Sequence, residues 1–374
     1  MSSQPAIEPL KTPVIGDQSC QLGQGEIASA LANGLSDRAA TQTSEGLFIG
    51  MDEAGYGPNL GPLLIVMTCW KTPGTPQTCD FYRLLRQSVS PTGAKQKNKL
   101  HIADSKLVNV GKEGFRSLEI SALALLKSLG LETSDFHTLC DALTSNVRGS
   151  GCNSDHLPAG GSLAIRNSAP WYADNLELPV TDCLEQAHRL AGQFSLCMQS
   201  SGVELIDIQA DLVVEQRYNQ LVERNLNNKG LTLSRLAFRL LRANWSPANP
   251  RPALIVGDKH GGRNRYDELL SEVLDQEMIL RIEEGQQISR YRIGHSELRF
   301  QVGGEAHLPV ACASMIAKYL RELSMRLFNR YWSQHCPDVK PTLGYPNDAR
   351  RFREQVEAVR RHLDIADHLF WRIK

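Results

Sequence analysis

The chain lacks a CxxC pair, a net charge and any long apolar run. Its nine cysteines, Cys20, Cys69, Cys79, Cys140, Cys152, Cys183, Cys197, Cys312 and Cys336, follow no regular spacing, which argues against a zinc site or a disulfide framework. Reduced thiols in a cytoplasmic protein are the expectation. No apolar stretch approaches the roughly 20 residues of a membrane span, and no basic segment leads into an apolar core after Met1, as a signal peptide requires. No membrane partner is expected. Lys and Arg number 41 and so do Asp and Glu, for a formal net charge of +0. No overall field therefore draws the chain to a polyanion, and any nucleic-acid site has to be a local basic patch. Nor is there an internal repeat, or a dinucleotide fingerprint. Gly55-Tyr56-Gly57-Pro58-Asn59-Leu60-Gly61 has one residue too many for GxGxxG, and two carboxylates immediately before it would repel a pyrophosphate.

What the chain does have is an ordinary globular composition, 41% hydrophobic over 374 residues, enough for one large domain with insertions or two modest ones. Residues 1–46 are rich in Ser, Gln, Gly, Thr and Pro, a composition that cannot offset its ordering entropy. A disordered tail is expected there, with a short helix near Glu26 to Ala32. Leu47 to Met51 then reads as a buried strand that delivers Asp52 and Glu53 into a Gly/Pro turn, and Leu63 to Cys69 reads as its hairpin partner. Neighbouring strand residues point to opposite faces, so the two acids can share a site only where the strand ends and bends.

Residues 71–100 are a polar connection ending in Lys95, Lys97 and Lys99, and His101-Ile102-Ala103-Asp104-Ser105-Lys106 precedes an expected helix from about Glu113 to Leu129. About 131–200 reads as a mainly helical insertion able to cap the site, with a loop from Gly149 to Gly161 and an amphipathic helix from Thr181 to Gln199. Leu205 to Val214 reads as a strand. Gln216 to Ala243 reads as helix broken near Asn228-Lys229-Gly230, with a basic face of Arg224, Lys229, Arg235, Arg239 and Arg242. Pro252 to Val256 repeats the opening logic, a short apolar strand ending in Gly257-Asp258-Lys259-His260-Gly261-Gly262-Arg263. A helix and a hairpin, Tyr291 to Ile293 with Leu298 to Val302, lead to Gly303-Gly304-Glu305. The spacing of Val310, Ala313, Ile316, Ala317, Leu320, Leu323 and Leu327 predicts a long helix from Leu308 to about His335. A terminal segment, 341–374, carries Arg350, Arg351, Arg353, Arg360 and Arg361 on a basic helix, by default a solvated face. The core domain is thus expected over 47–340.

Four acids stand at breaks beside regular elements: Asp52, Glu53, Asp258 and Glu305. Singly, each also fits a turn or a helix cap. Brought together, they would repel one another and raise their pKa values unless a cation bound. Hard oxygen ligands without a supporting His or Cys set favour Mg²⁺ or Mn²⁺ over zinc, and His101, His260 and His307 have no spaced partner. Two such ions, typically about 3.5 to 4 Å apart, suit an in-line phosphodiester displacement.

Together these residues resemble the type 2 ribonuclease H family, ribonucleases HII and HIII. The match runs in family order from residue 47 to about 350. IGMDEAGYGPNLGP resembles the first-strand signature, ADSKL the DSKxL motif, RNLNNKGLTLSRLAFRLL a helix with an asparagine, LIVGD the strand of the third acid, and GGEAHLPVACASMIAKYLRE the fourth acid with its helix. The resemblance implies a ribonuclease H-like α/β fold, a central mixed sheet flanked by helices. It further implies hydrolysis of the RNA strand of RNA/DNA hybrids, with Asp52, Glu53, Asp258 and Glu305 holding two Mg²⁺ or Mn²⁺ ions. Lys106, beside Ser105, becomes a phosphate contact. Ser314 and Lys318 lie in the helix motif, Ser314 orienting the substrate backbone, and Tyr345 takes the place of a tyrosine that packs on a nucleotide sugar. Gly55, Tyr56 and Gly57 occupy a turn where ribonuclease HII has arginine between glycines to read the RNA-to-DNA junction. Lys259 and Arg263 are the basic side chains beside the third acid and count as substrate-binding candidates. The chain departs from the pattern at Tyr56, at Gly257-Asp258 where the family has Asp-Gly, and in the insertion. A nuclease for another nucleic acid such as structured DNA, or a noncatalytic nucleic-acid-binding protein, are the alternatives.

Overall fold

Side chains of the first strand alternate between two buried faces, and the rest of the molecule is layered on those faces. The structure, a computed structural model, describes residues 45–92, 98–144, 161–274 and 278–373. The expected tail up to residue 44, Lys95, Lys97 and most of the loop from Gly149 lie outside the described residues. Strand β1 (Gly46–Ala54) pairs antiparallel with β2 (Leu63–Thr72), the expected hairpin. Short β3 (Val89–Ser90) and β4 (Leu100–His101) form a separate parallel pair. Strand β5 (Glu204–Val213) flanks β2, and β6 (Ala253–Asp258) lies parallel to β1. The remaining strands are β7 (Ile279–Glu284), β8 (Ile288–Ile293) and β9 (Ser296–Gln301), and the seven-stranded sheet runs β5-β2-β1-β6-β9-β8-β7. Parallel β1/β6 and β6/β9 pairs among antiparallel neighbours make the sheet mixed, as expected. The hairpin expected around residues 291–302 is present as β8 and β9, and β7 extends it to a three-stranded meander. Strand β7 escapes the sequence reading because it is an edge strand whose Leu280 and Ile282 stay exposed among charged residues, so no buried alternation marks it.

The helices that matter here are α1 (Gly114–Ser128), α2 (Leu184–Ser201), α3 (Glu215–Arg224), α4 (Lys229–Asn244), α5 (Asp267–Val273), α6 (Leu308–His335) and α7 (Pro346–His362). Phe48, Val66, Trp70, Leu254 and Val256 pack one sheet face against α1, α2, α6 and α7. Ile49, Met51, Ile65, Met67 and Ile255 pack the other against α3, α4 and α5. Strands buried on both faces read as near-continuous apolar runs, which is why Leu47–Met51 was legible. The described part of the insertion joins the first core through Trp171, Leu190 and Phe194. Fully buried Glu119 on α1 ties it down, accepting from the Val180 and Thr181 amides at 2.7 and 2.8 Å and from the Tyr319 hydroxyl at 2.9 Å. A buried carboxylate without such donors would be costly. Residues of the terminal segment reach the same core, with Phe352, Val356 and Phe370 buried in it. No helix among the described residues is long and apolar enough to cross a membrane.

Two contacts set where α6 begins. A Cβ on Gly50 would lie 2.3 Å from the Pro309 carbonyl carbon, so only glycine lets the helix start press onto β1. The Thr68 hydroxyl donates to the Pro309 carbonyl at 2.8 Å from the neighbouring strand. Gly50→Ala is expected to lower stability by about 1–3 kcal/mol through overpacking, read as a shift in urea midpoint. Gly57→Ala, where an added Cβ meets nothing within 4 Å, is expected to stay within about 0.5 kcal/mol.

Candidate active site

Parallel pairing of β1 with β6 sets Met51 opposite Gly257, so both central strands end level and deliver Asp52, Glu53 and Asp258 to the same end of the sheet. Glu305 enters from a single 3-10 turn, Gly304–Ala306. That turn lies on the end of β6, because a Cβ on Gly304 would sit 3.4 Å from the Asp258 nitrogen. Asp52 faces α6, where the Ser314 hydroxyl bonds to it, and Ser314 in turn lies 3.0 Å from the Ser105 hydroxyl. Ser105 opens a short helix, Ser105–Val108, capped by Asp104, which accepts from the Lys106 amide at 2.9 Å.

The acids act on one another. Burial, then the charge of Glu53, pushes Asp52 well above the usual carboxylate range, against the hydrogen bond from Ser314. Burial, then Asp258 and Glu305, pushes Glu53 up to about 7, while Lys106 pulls the other way. Glu305 is raised by burial and by Asp258 and Asp104. Lys106 loses some preference for charge to burial, but Asp104, Glu305, Asp52 and Asp258 outweigh that and raise its pKa. The four acids of the sequence reading and Lys106 therefore share one electrostatic site.

The glycine turn between β1 and β2 is held from behind by residues the sequence reading missed. Arg372, fully buried, donates to the Gly55 and Gly61 carbonyls at 2.6 and 3.2 Å and stacks 3.9 Å from the Tyr218 ring centroid. Arg321 donates to the Leu60, Pro62 and Leu343 carbonyls at 3.3, 3.3 and 3.0 Å. Glu215 accepts from the Gly61 amide at 3.1 Å. Gly55, at φ 91, has no room for a Cβ, which would meet the Pro62 oxygen at 2.4 Å. Nothing local in the sequence signals these partners.

Other candidates separate. Tyr345 is half exposed and follows Gly344, whose carbonyl accepts from the Asn59 amide at 2.9 Å, so it stands beside the glycine turn. Gly57 is exposed, and Tyr56 is half-buried against the second core. Ser314 is buried, and its hydroxyl is taken up by Asp52 and Ser105 rather than turned to a substrate backbone. Lys259 is also turned inward, donating to the Gly285 carbonyl at 2.6 Å and the Ser289 hydroxyl at 2.7 Å. Lys318 pairs with Glu322 at 2.7 Å. These three serve the frame. On the expected basic face, Arg239 reaches buried Asp211 at 3.3 Å and Arg235 reaches Glu272 at 3.0 Å. On α7, Arg351, Arg353 and Arg360 pair with Asp348, Asp367 and Glu357.

Among the described residues no three His, Cys, Asp or Glu side chains already converge closely enough to enclose an ion. The donor chemistry nonetheless suits a hard divalent cation. All the converging donors are carboxylates, and Asp258 Oδ1 is buried without a hydrogen-bond partner. Buried polar atoms are normally satisfied, and a cation beside Asp258 would satisfy this one.

No protein-family model matches the chain, and no curated protein matches it. Among solved structures, it is similar to the ribonuclease HII of a PCNA complex from Archaeoglobus fulgidus, at 14% identity and TM-score 0.36, covering 88% of this chain and 94% of that one. It is similar to ribonuclease H2 from Pyrococcus horikoshii OT3 at 12% identity and TM-score 0.37, covering 87% and 92%. It is similar to ribonuclease H3 from Aquifex aeolicus at 13% identity and TM-score 0.32, covering 93% and 78%. These superpositions are loose, and the reading of the site rests on this chain's own residues.

The raised pKa of Glu53 predicts a pH dependence of the metal-free protein. The folded state holds the Glu53 proton up to about 7, against 4.5 for the ordinary group. Between those values it binds more protons than the unfolded chain, so stability falls as pH rises. Its contribution is complete below 4.5 and lost above about 7. In EDTA, Glu53→Gln is expected to flatten the fall in thermal midpoint across this window relative to wild type.

Proposed function

We propose that the protein is a divalent-metal-dependent endoribonuclease of the ribonuclease H type, cutting the RNA strand of RNA/DNA hybrids to leave 3'-hydroxyl and 5'-phosphate ends. One observation carries the reading: Asp52, Glu53, Asp258 and Glu305 gather at one end of the central strands, where burial and neighbouring acids raise the pKa values of Asp52, Glu53 and Glu305 and Lys106 lies within the same field. Like charges removed from water are costly unless compensated, and nothing in a purely structural role calls for four of them. Mg²⁺ or Mn²⁺ held by these carboxylates would supply an activated water and a counter-charge for the leaving oxygen. The protein's own side chains do the rest. Ser314 fixes the Asp52 carboxylate, the arginine-held glycine turn fixes the end of β1, and Lys106 offers a cation to the phosphate being cut. Tyr345, half exposed beside the turn, would pack on a sugar of the bound strand. The seven described cysteines are all free, which fits a cytoplasmic location.

Tyr56 supports a second reading, a nuclease of the same chemistry acting on another nucleic acid such as structured DNA. A tyrosine can stack or give one hydrogen bond but cannot grip phosphate with two. Purified protein incubated with Mn²⁺ and labelled hybrid, RNA duplex and DNA junctions separates the readings by which substrate is cut. Asp52→Asn and Asp258→Asn are each expected to lower the rate at least about a hundredfold, since such ligands supply several kcal/mol to the transition state. Cleavage no faster in wild type than in Asp52→Asn would leave a noncatalytic nucleic-acid-binding protein.

A further inference from the structure

Beside Tyr56 lies a cleft of about 880 Å³ between two turns, Leu226 to Gly230 and His260 to Arg265. The Tyr56 hydroxyl sits between the two turns, close to Gly230 and Gly261, and within the fields of both Glu53 and Arg263. The cleft is preformed. At its base, the Ser234 hydroxyl of α4 meets His260 Nδ1 at 3.0 Å, joining one wall to the other. The second wall is pinned again where the His260 amide donates to the Tyr266 hydroxyl at 3.1 Å and by Lys259 on the β7–β8 turn.

The first wall is strained. Leu226 and Asn227 sit in left-handed backbone at φ 56 and 57, which side-chain-bearing residues rarely adopt. Such a turn persists only where its surroundings impose it. Here they do, for buried Asn225 bonds to Thr232 at 3.1 Å, Arg235 bonds to Asn225, and the Asn227 amide donates to the Val222 carbonyl at 2.9 Å. Leu226 is left 87% exposed at the lip.

The lining names the ligand. Lys229, Arg263 and Arg265 face the cleft with Asn227, Asn228 and Asn264, and no carboxylate is among the lining residues. Arg263 makes no ion pair among the described residues, and its Nε is buried without a partner. Arg265 reaches Glu284 only at 3.7 Å and stays 81% exposed. Cations and amides around an apolar lip suit a sugar-phosphate backbone, charge for the phosphates and hydrogen bonds for the sugar oxygens. We propose that this cleft holds the phosphodiester backbone of the nucleic-acid strand flanking the scissile bond, with Arg263 as its main phosphate ligand. The assignment rests on the nuclease reading and extends it to a second contact with the same substrate.

The test is equilibrium binding of a fluorescent RNA/DNA hybrid in Ca²⁺, measured by anisotropy across a salt series, so that no turnover is needed. Arg263→Gln is expected to weaken binding about tenfold and to lower the salt slope by about one, and Arg263→Gln with Arg265→Gln to lower it by about two. Unchanged circular dichroism and Mn²⁺ affinity show that the variants remain folded with the acidic site intact. Wild-type affinity and slope in Arg263→Gln overturn the cleft while leaving the nuclease reading standing. Failure of the wild type to bind any nucleic acid overturns both. Inorganic phosphate, added as competitor, is expected to raise the wild-type Kd and to leave that of Arg263→Gln nearly unchanged; equal effects on both count against the cleft.

Discussion

Four carboxylates brought to one end of the central strands repel one another, and much of the surrounding structure holds them there regardless. Asp52 and Glu53 are adjacent near the end of β1, where Asp52 bonds to Ser314 of α6 and feels the charge of Glu53. The parallel neighbour β6 ends at the same level and adds Asp258. Repulsion of this kind raises pKa values and destabilises the site unless a positive charge is near. Lys106 supplies part of that charge, and a divalent cation would supply more. The arrangement costs the fold free energy, which a bound cation would recover.

Holding the acids against that repulsion is the task of the contacts behind them. Gly50 lets α6 lie on β1, which places Ser314 over Asp52. Arg372 and Arg321 fill the carbonyls of the glycine turn, and Glu215 takes its amide. Arginine suits this work because its rigid fork keeps its charge under burial and satisfies several acceptors at once. Tyr56 lines the basic cleft and lies within the field of Glu53.

How much of this was legible in the sequence depended on range. Leu47–Met51, the helix near Gly114–Ser128 and the long α6 announced themselves through local periodicity, and the acids could be found because each follows an apolar strand or a glycine pair. Strand β7 was missed because an edge strand buries too little to show a period. The clamp on the glycine turn was invisible because Arg372 and Gly55 are 317 residues apart. Lys259, Ser314 and Lys318 were expected to be substrate contacts by position, and the folded chain shows each already bonded to a neighbour within the protein. Residue type and spacing indicate that a polar group is available, but only the folded chain shows what it is already bonded to.

The central claim is that these carboxylates form a divalent-cation site, and calorimetric titration of the metal-free protein with Mn²⁺ near pH 6.5 tests it without reference to any substrate. Because Glu53 holds its proton up to about 7, ion binding must displace protons. The account predicts saturable binding with proton release, seen as a heat that varies with the ionisation enthalpy of the buffer, and loss of that binding in Asp258→Asn. A folded wild-type protein that takes up no Mn²⁺, or binds it equally well without Asp258, would contradict the account.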